Sequence, residues 1–468
     1  MYTYYRIQEL LKNAREIGGI PAPLVYRKMC REGVVLAGLG VANLPLIDFL
    51  PKIGVRTLSV RDRAVPGADT LARLSALSAH TAFGEGHLDL PMRGVIFRTP
   101  SIRPDHPALT AARQAGAIVL TEVALLLSLA TADIFCITGS DGKTTTAMMS
   151  AAMLKAAGRR VYLGGNIGTP LTARVFDMCP TDALVLELSS FQLMDMSPPK
   201  GRCAITNITE NHLDWHRDMA EYTAAKANIL GGGRAVLGVG CPSSLGKGDA
   251  IRVTHGDLGA AHAVFSDGGA VYSQESGRCT RLFSADALCI PGRHNLENAM
   301  TAAALTMDAA GPEAIEAALT RFAGAPHRTS YVGCFRGSAC YDSSIDTTPA
   351  RTATTLRAFP RPPVVILGGR DKNLSYDALA DVLLSRARAV VLCGESAEKI
   401  KAALERADFG HTLPQRQAAT LDEAVALAFS LAEGGAPILL SPAATSFDQF
   451  RNYSERGDAF AALCRMQQ

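Results

Sequence analysis

The chain is 468 residues long, 48% hydrophobic and 19% charged, enough for sizeable buried cores. At roughly 100–200 residues per domain, that length predicts about three domains. A net charge of +3, from 47 Lys and Arg against 44 Asp and Glu, gives no electrostatic case for a nucleic-acid partner. The 11 cysteines form no C-x-x-C pair, and an odd count in so long a chain predicts reduced thiols and a cytoplasmic protein.

In chain order, the N-terminal "MYTYYRIQELLKNAREIGG" has no apolar region of a secretory signal. Within residues 1–32, "RIQELLKNAREIG" and "PAPLVYRKMCR" predict helices of an extension with no assigned role. "VVLAG" (34–38), "RTLSV" (56–60), "GVIFR" (94–98) and "AIVL" (117–120) predict strands of a first α/β unit. The apolar window "AIVLTEVALLLSLATADIFCI" is broken by Glu122 and Asp133, so it predicts two joined buried elements and no membrane insertion. "DIFCI" (133–137), "RVYL" (160–163), "ALVLEL" (183–188), "CAIT" (203–206) and "RAVLG" (234–238) predict a second unit. The Gly-rich stretch 240–292 predicts a β-rich lobe added to it. "VVIL" (364–367), "AVVLC" (389–393) and "PILL" (437–440) predict a third unit. Alternating β and α over such spans predicts parallel, doubly wound sheets. The expected boundaries, near 125–131 and "GAPHR" (324–328), divide the chain into 1–128, 129–325 and 326–468.

Two glycine-bearing turns follow strands. In "VVLAGLGVAN", Gly38 and Gly40 leave backbone N–H groups bare where a helix begins, suited to a pyrophosphate. Asn43 replaces the third glycine of the dinucleotide pattern, so a tight turn without ligand fits equally well. "ITGSDGKTTT" (137–146) holds the back half of a P-loop, with Ile137 where the first glycine belongs. Its setting is strand, loop and helix. Gly139 and Gly142 would let amides approach phosphates, Lys143 would supply the cation, and Thr144 or Thr145 would reach Mg²⁺.

Downstream residues could complete such a site. Glu187 ends the strand in "LVLELSSFQL", at the ligand-bearing edge of a parallel sheet, as a metal ligand or simply the partner of a cation. His212 in "NITENHLDWH" follows the strand "CAIT", either facing that edge as a ligand or lying on the surface. Lys226 in "EYTAAKANIL" lies on a helix among apolar neighbours, where the plain alternative is snorkelling to solvent.

"TGSDGKTT", "GGNIGTP", "LELSSFQL", "NITENHLDWH", "AAKANI", "PGRHNLENA" and "GAPHR", in that order, resemble the motifs of the Mur ligase family of peptidoglycan synthesis. The resemblance extends from about residue 34 to the C-terminus, and the family's loop T-G-x-x-G-K-[ST]-[ST] accounts for the shortened glycine spacing. "SSFQL" and the late "LLSPAATSFDQFRNYSERGDAF" (439–460) are similar to the members that add D-glutamate to UDP-N-acetylmuramoyl-L-alanine.

The resemblance implies a Rossmann-like N-terminal domain, a central P-loop-type ATPase domain and a Rossmann-like C-terminal domain. It implies an ATP- and Mg²⁺-dependent carboxylate–amine ligase acting through an acyl phosphate, expected to be a monomer. Lys143, Glu187, His212 and Lys226 would be catalytic. Gly139, Ser140, Asp141, Gly142, Thr144 and Thr145 would hold the ATP phosphates, and Asn295, Asn298 and Arg328 would also contact ATP. Thr144 and Glu187 would serve one Mg²⁺, and His212 with a carbamylated Lys226 a second metal. Gly38, Gly40, Val41, Ala42, Asp62, Arg63 and Thr99 would contact the UDP-sugar, Asn166 would lie near the muramoyl peptide, and Ser189, Gln192 and Thr347 would also bind substrate. Lys372, Ser446 and Tyr453 would serve the amino acid. For "HNLEN", a helix N-cap is the alternative to ATP contact.

One segment departs from the family. Where relatives read D-S-K-A-T-N, this chain reads "YDSSIDTTP" (341–349), placing Ser343 at the aspartate position and Ile345 at the lysine position. Asp342 or Asp346 would then supply the ATP-side carboxylate. The rival readings are a sister ligase, such as a folate polyglutamate synthase or another muramoyl peptide ligase, and a catalytically silent UDP-sugar-binding homologue. "SFDQF" argues against the sister ligases, and the presence of all four catalytic candidates argues against the silent homologue.

Overall fold

The computed structural model describes residue 14 and residues 16–90, 93–246, 249–257, 259–408 and 412–467. Most of the predicted helix "RIQELLKNAREIG" lies outside the described residues. The chain divides into two units, Met1–Phe283 with Glu297–Ala317, and Ser284–Leu296 with Ala318–Gln468. Among the described residues, the 11 cysteines are all free, and no helix is long and apolar enough to cross a membrane.

The first unit holds a five-stranded, wholly parallel sheet. Its order is His80–Phe83, Leu58–Asp62, Val34–Ala37, Val95–Arg98, Ile118–Leu120. Val34–Ala37 and Val95–Arg98 are buried on both faces, as the apolar runs of a covered parallel sheet require. His80–Phe83 has no counterpart among the predicted runs, because this edge strand is only exposed or half-buried and carries little apolar signal. The helix predicted in "PAPLVYRKMCR" forms at Ala22–Glu32 and buries Ala22, Val25 and Met29 along one stripe. A ligand crevice is expected outside the carboxyl ends of Val34–Ala37 and Val95–Arg98, where the strand order reverses.

The same unit carries a nine-stranded sheet in which Asp133–Thr138 is third from one edge. The strands Ala183–Glu187 and Arg202–Ile205 flank it in parallel, with Val161–Gly165 outside the former and Ala235–Leu237 outside the latter. The segment expected to be a β-rich lobe does form strands, and they prolong this sheet. Ile251–His255 and His262–Asp267 continue it in parallel, and Ala270–Glu275 turns back antiparallel.

The second unit is built on a six-stranded sheet in the order Ser330–Phe335, Ser338–Asp342, Ile438–Leu440, Val364–Gly368, Ala389–Cys393, Gln415–Ala418. Only the first pair is antiparallel. The antiparallel pair was not predicted, since its outer strand is mostly half-buried and lacks a clean alternation.

Asn43 explains the missing third glycine of the first turn. Its buried amide donates to the carbonyls of Gly38 (2.8 Å) and Phe97 (3.0 Å), tying the turn to the neighbouring strand. Asn43→Ala would strip both carbonyls of this partner and should cost about 2–3 kcal/mol in urea unfolding. A loss below about 0.5 kcal/mol would show that the amide does not hold the turn.

Candidate active site

The strand Asp133–Thr138 delivers its chain into the loop 139–142, and the helix Lys143–Ala156 starts directly after it. Gly139 and Gly142 adopt φ of 151° and 76°. A Cβ on Gly139 would lie 1.8 Å from Thr206 Oγ1, and one on Gly142 2.1 Å from Asn298 Oδ1. The glycines are therefore required by packing as well as by backbone conformation. Asn207 accepts from Ser140 N–H with its carbonyl and from Asp141 N–H with Oδ1 (2.9 Å). The Thr206 hydroxyl donates to the Asp141 carbonyl at 2.6 Å. Asn298 Oδ1 also accepts from Thr146 Oγ1 at 3.3 Å. Lys143 Nζ donates to the Ser140 carbonyl at 2.7 Å, so the ammonium lies over its own loop.

Glu187 joins this loop to a neighbouring cleft. It is 2% exposed, accepting from Thr144 Oγ1 at 2.8 Å on one oxygen and from Asn166 Nδ2 at 3.1 Å on the other. Asn166 in turn lines a cleft of ≈ 270 Å³ together with Val41, Ala42, Thr99 and Gln192. Five residues assigned from the sequence to substrate binding thus share one cavity. Gly38 and Gly40 approach Thr99 so closely that a Cβ would meet its side chain at 2.4 and 2.9 Å. Asp62 accepts from the N–H groups of Leu39 (2.6 Å) and Ala64 (2.9 Å), so its carboxylate shapes the turn, while Arg63 stays exposed. Ser189 and Gln192 form a reciprocal capping box at the start of helix Ser190–Leu193.

Lys226 does not snorkel. It is 2% exposed and donates to the Gly139 carbonyl at 2.6 Å, with Nζ 4.6 Å from the Tyr222 ring centre. Burial first, and then the charge of Lys143, lowers its pKa to about 7. His212 is exposed, adopts φ of 55° and packs edge-on against Phe191, with burial and then Lys143 lowering its pKa. Among the described residues no three His, Cys, Asp or Glu side chains gather as a metal cluster. A hydroxyl, a carboxylate and phosphate oxygens are the donor set that fits the loop.

Residues missed from the sequence support these groups. The Tyr222 hydroxyl meets the Ser140 hydroxyl at 2.9 Å, and Ser140 also bonds both backbone groups of Thr209. Buried His216 contacts Ser190 Oγ at 2.9 Å and Glu221 at 3.3 Å. Arg103, in the loop after the strand Val95–Arg98, pairs with Glu221 at 2.8 Å and holds its carboxyl down at about 2. For Tyr222 the usable signal was helical spacing, since it precedes Lys226 by one turn of the helix Met219–Ala227.

The second unit carries its own cluster. Asp342 is buried and accepts from Ser344 N–H (2.8 Å), with its other oxygen 2.7 Å from His327 Nδ1. Buried Asp346 accepts from Thr355 (2.8 Å) and Ser441 (2.7 Å) hydroxyls. Arg328 and Lys372 are exposed, Thr347 is half-buried and Ser446 is buried. Arg370 and Thr445 bridge the loops bearing Lys372 and Ser446, with the Arg370 N–H on the Thr445 carbonyl at 2.8 Å. Tyr453 opens the helix Tyr453–Arg465. Asn295 is not the helix N-cap: it lies inside the helix Arg293–Leu319, and its amide donates to the Pro291 carbonyl at 2.6 Å.

A family model for the Mur ligase middle domain matches residues 137–306. The UDP-N-acetylmuramoylalanine–D-glutamate ligase of Acetivibrio thermocellus is 36% identical over 453 residues, covering 93% of this chain and 97% of that protein. The ligase of the same name from Symbiobacterium thermophilum is 37% identical over 447 residues, covering 92% and 98%. Among solved structures, the UDP-N-acetylmuramate–alanine ligase of Thermotoga maritima shares the fold. Its TM-score is 0.53 at 18% identity, over 93% of this chain and 99% of that one.

Gly142→Ala tests the loop. The new Cβ would collide with Asn298 and add backbone strain of about 1–3 kcal/mol, so ATP affinity should fall about tenfold or more by calorimetry. Unchanged affinity would show that this loop is no phosphate cradle.

Proposed function

Because the chain belongs to the Mur ligase family, we propose that it joins D-glutamate to UDP-N-acetylmuramoyl-L-alanine at the expense of ATP. The observation that carries this reading is Glu187, whose two oxygens are shared between the phosphate loop, through Thr144, and the cleft, through Asn166. A ligase of this kind must bring a phosphoryl donor beside a carboxylate, and this side chain spans the two sites. The three sheets correspond to three domains in this reading, 1–128 for the UDP-sugar, 129–325 for ATP and 326–468 for the amino acid. The enzyme would work as a cytoplasmic monomer on small-molecule substrates.

The chemistry follows from the weakness of a carboxylate as an electrophile. Its oxygen would attack the γ-phosphorus, ADP would leave, and the resulting acyl phosphate would be attacked by the amine of D-glutamate with release of phosphate. Positioning and electrostatic stabilisation carry such transfers. Lys143 and the loop N–H groups would hold the phosphates. Bound Mg²⁺ supplies charge neutralisation at the phosphate oxygens, and Thr144 and Glu187 offer it hard oxygen donors. Lys372 and Ser446 would orient the amino acid's carboxylates, supported by the Arg370–Thr445 bridge between their loops.

Of the two aspartates in the departed segment, Asp342 is the better ATP-side carboxylate. It contacts His327, next to Arg328, and raises the pKa of that imidazole. Asp346 is committed to Thr355 and Ser441 inside the second unit.

Phosphate release should require ATP, Mg²⁺, the muramoyl-alanine nucleotide and D-glutamate together. Equal turnover with L-glutamate, or with a folate in place of the UDP-sugar, would overturn the assignment.

Lys226 would serve a second metal, with His212, as a carbamate. A protonated ammonium repels Mg²⁺, whereas a neutral amine can take up CO₂ and present two hard oxygens. A pKa lowered to about 7 makes the neutral amine available above that pH, and carbamylation should fade as pH drops below it. Lys226→Ala should lose most turnover, and acetate should restore part of it by filling the vacated place, while Lys143→Ala should not respond. If bicarbonate depletion leaves the wild type unaffected and acetate rescues nothing, Lys226 acts as a plain cation.

A further inference from the structure

The cleft beside Asn166 contains one ionisable side chain, and the reaction scheme above does not use it. Glu122 opens the helix Glu122–Leu129, lines the cleft and is 5% exposed, yet its Oε1 is buried without any hydrogen-bond partner. A buried, unmatched carboxyl costs stability, so its position beside a cavity calls for a partner that arrives with the ligand. None of the other residues lining this cleft is ionisable.

We propose that the Glu122 carboxyl pairs with an amide group of the molecule bound in this cleft and thereby determines which acylated sugar nucleotide is accepted. The proposal rests on the reading of the cleft as the UDP-sugar site. A neutral carboxyl offers one O–H donor and one carbonyl acceptor, which match the C=O and N–H of an amide. The surroundings keep Glu122 in that form, for burial alone raises its pKa to about 8. On the elements packed against its helix, the charged side chains are Arg174 and Asp177, paired with each other at 2.8 Å, and exposed Glu16. None of them contributes to the shift. UDP-N-acetylmuramoyl-L-alanine carries such amides on its acylated sugar, whereas UDP alone has none outside the uracil ring.

The two states of Glu122 also set the sign of the pH effects. Because the folded pKa lies above the unfolded one, stability from this group is intact below the ordinary carboxyl range and is lost as pH rises through about 8. Ligand affinity that depends on the O–H donor should fall over the same upper range.

The test is calorimetric binding of UDP-N-acetylmuramoyl-L-alanine and of UDP to the full-length wild type, Glu122→Gln and Glu122→Leu. Wild-type affinity for the sugar nucleotide should fall about tenfold between about pH 7 and about pH 9, and affinity for UDP should not. Glu122→Gln, which keeps one donor and one acceptor, should bind within about threefold of wild type and lose the pH dependence. Glu122→Leu should weaken the sugar nucleotide about tenfold or more, leave UDP alone, and melt no lower than wild type because an unmatched polar group has gone. In turnover, its KM for the sugar nucleotide should rise while that for ATP stays. Unchanged sugar-nucleotide binding in Glu122→Leu, an equal loss for UDP, or a lowered melting temperature would overturn the proposal. Wild type that binds UDP but not the sugar nucleotide would instead overturn the functional reading of the cleft.

Discussion

Glu187 sets the terms for everything around it, because a carboxylate that is 2% exposed must find hydrogen-bond donors on both oxygens. It finds them on different elements, in Thr144 at the start of the helix after the phosphate loop and in Asn166 after an adjacent strand. The demand propagates through the backbone. The Asn166 N–H donates to the Glu187 carbonyl at 2.8 Å, and a Cβ on Gly165 would approach that carbonyl to 2.2 Å, so this strand end must be glycine. The "GGNIG" motif thus has a packing reason that is independent of any ligand. The sheet register places Glu187 beside both Ile137 and Gly165, so two parallel neighbours bring loop and cleft to one carboxylate.

The cationic side is built with the same economy. Lys143 and Lys226 approach one short loop from different helices and both donate to its carbonyls, at Ser140 and Gly139. Burial, and after it the charge of Lys143, lowers the Lys226 pKa to about 7, so the buried member of the pair gives up its proton first. Tyr222 mediates, offering Lys226 its ring face and Ser140 its hydroxyl. The helix with Lys226 is in turn anchored to the first sheet's loops by Arg103 on Glu221. Buried Arg98 makes a similar tie, donating to the Phe191 carbonyl at 3.1 Å. The cleft beside Asn166 and the loop 139–142 are thereby fixed to one framework.

Legibility in the sequence followed the strength of local signals. Buried parallel strands such as Val34–Ala37, Ala183–Glu187 and Val364–Gly368 read as apolar runs and formed where predicted. The run at 56–60 marked a strand that forms two residues later, at Leu58–Asp62. Edge strands such as His80–Phe83 and Gln415–Ala418, exposed or half-buried, gave no comparable signal. The glycines of the motifs were legible because a Cβ at Gly139 or Gly142 would collide with a neighbouring side chain, which restricts what can stand there. The supports were not, because Asn43, Tyr222 and His216 act through contacts with residues on other elements. Glu122 was read only as an interruption of an apolar window, which is correct for the chain and silent about the cleft.

Lys226 and Glu122 are opposite charges-in-waiting whose ionisation is suppressed chiefly by burial, helped at Lys226 by the charge of Lys143. Lys226 spends its donors on the protein, whereas Glu122 Oε1 has no partner there. A folding optimum would replace such an unmatched carboxyl with an apolar side chain of similar volume, since the helix around it already buries Val123, Leu125 and Leu126. The carboxyl is therefore best understood as stability given up at the cleft, to be recovered when a ligand supplies the missing hydrogen bonds. Residues that pay their way in the folded chain, such as Asn43, shape the site from behind, and the ones that do not are those that face what binds.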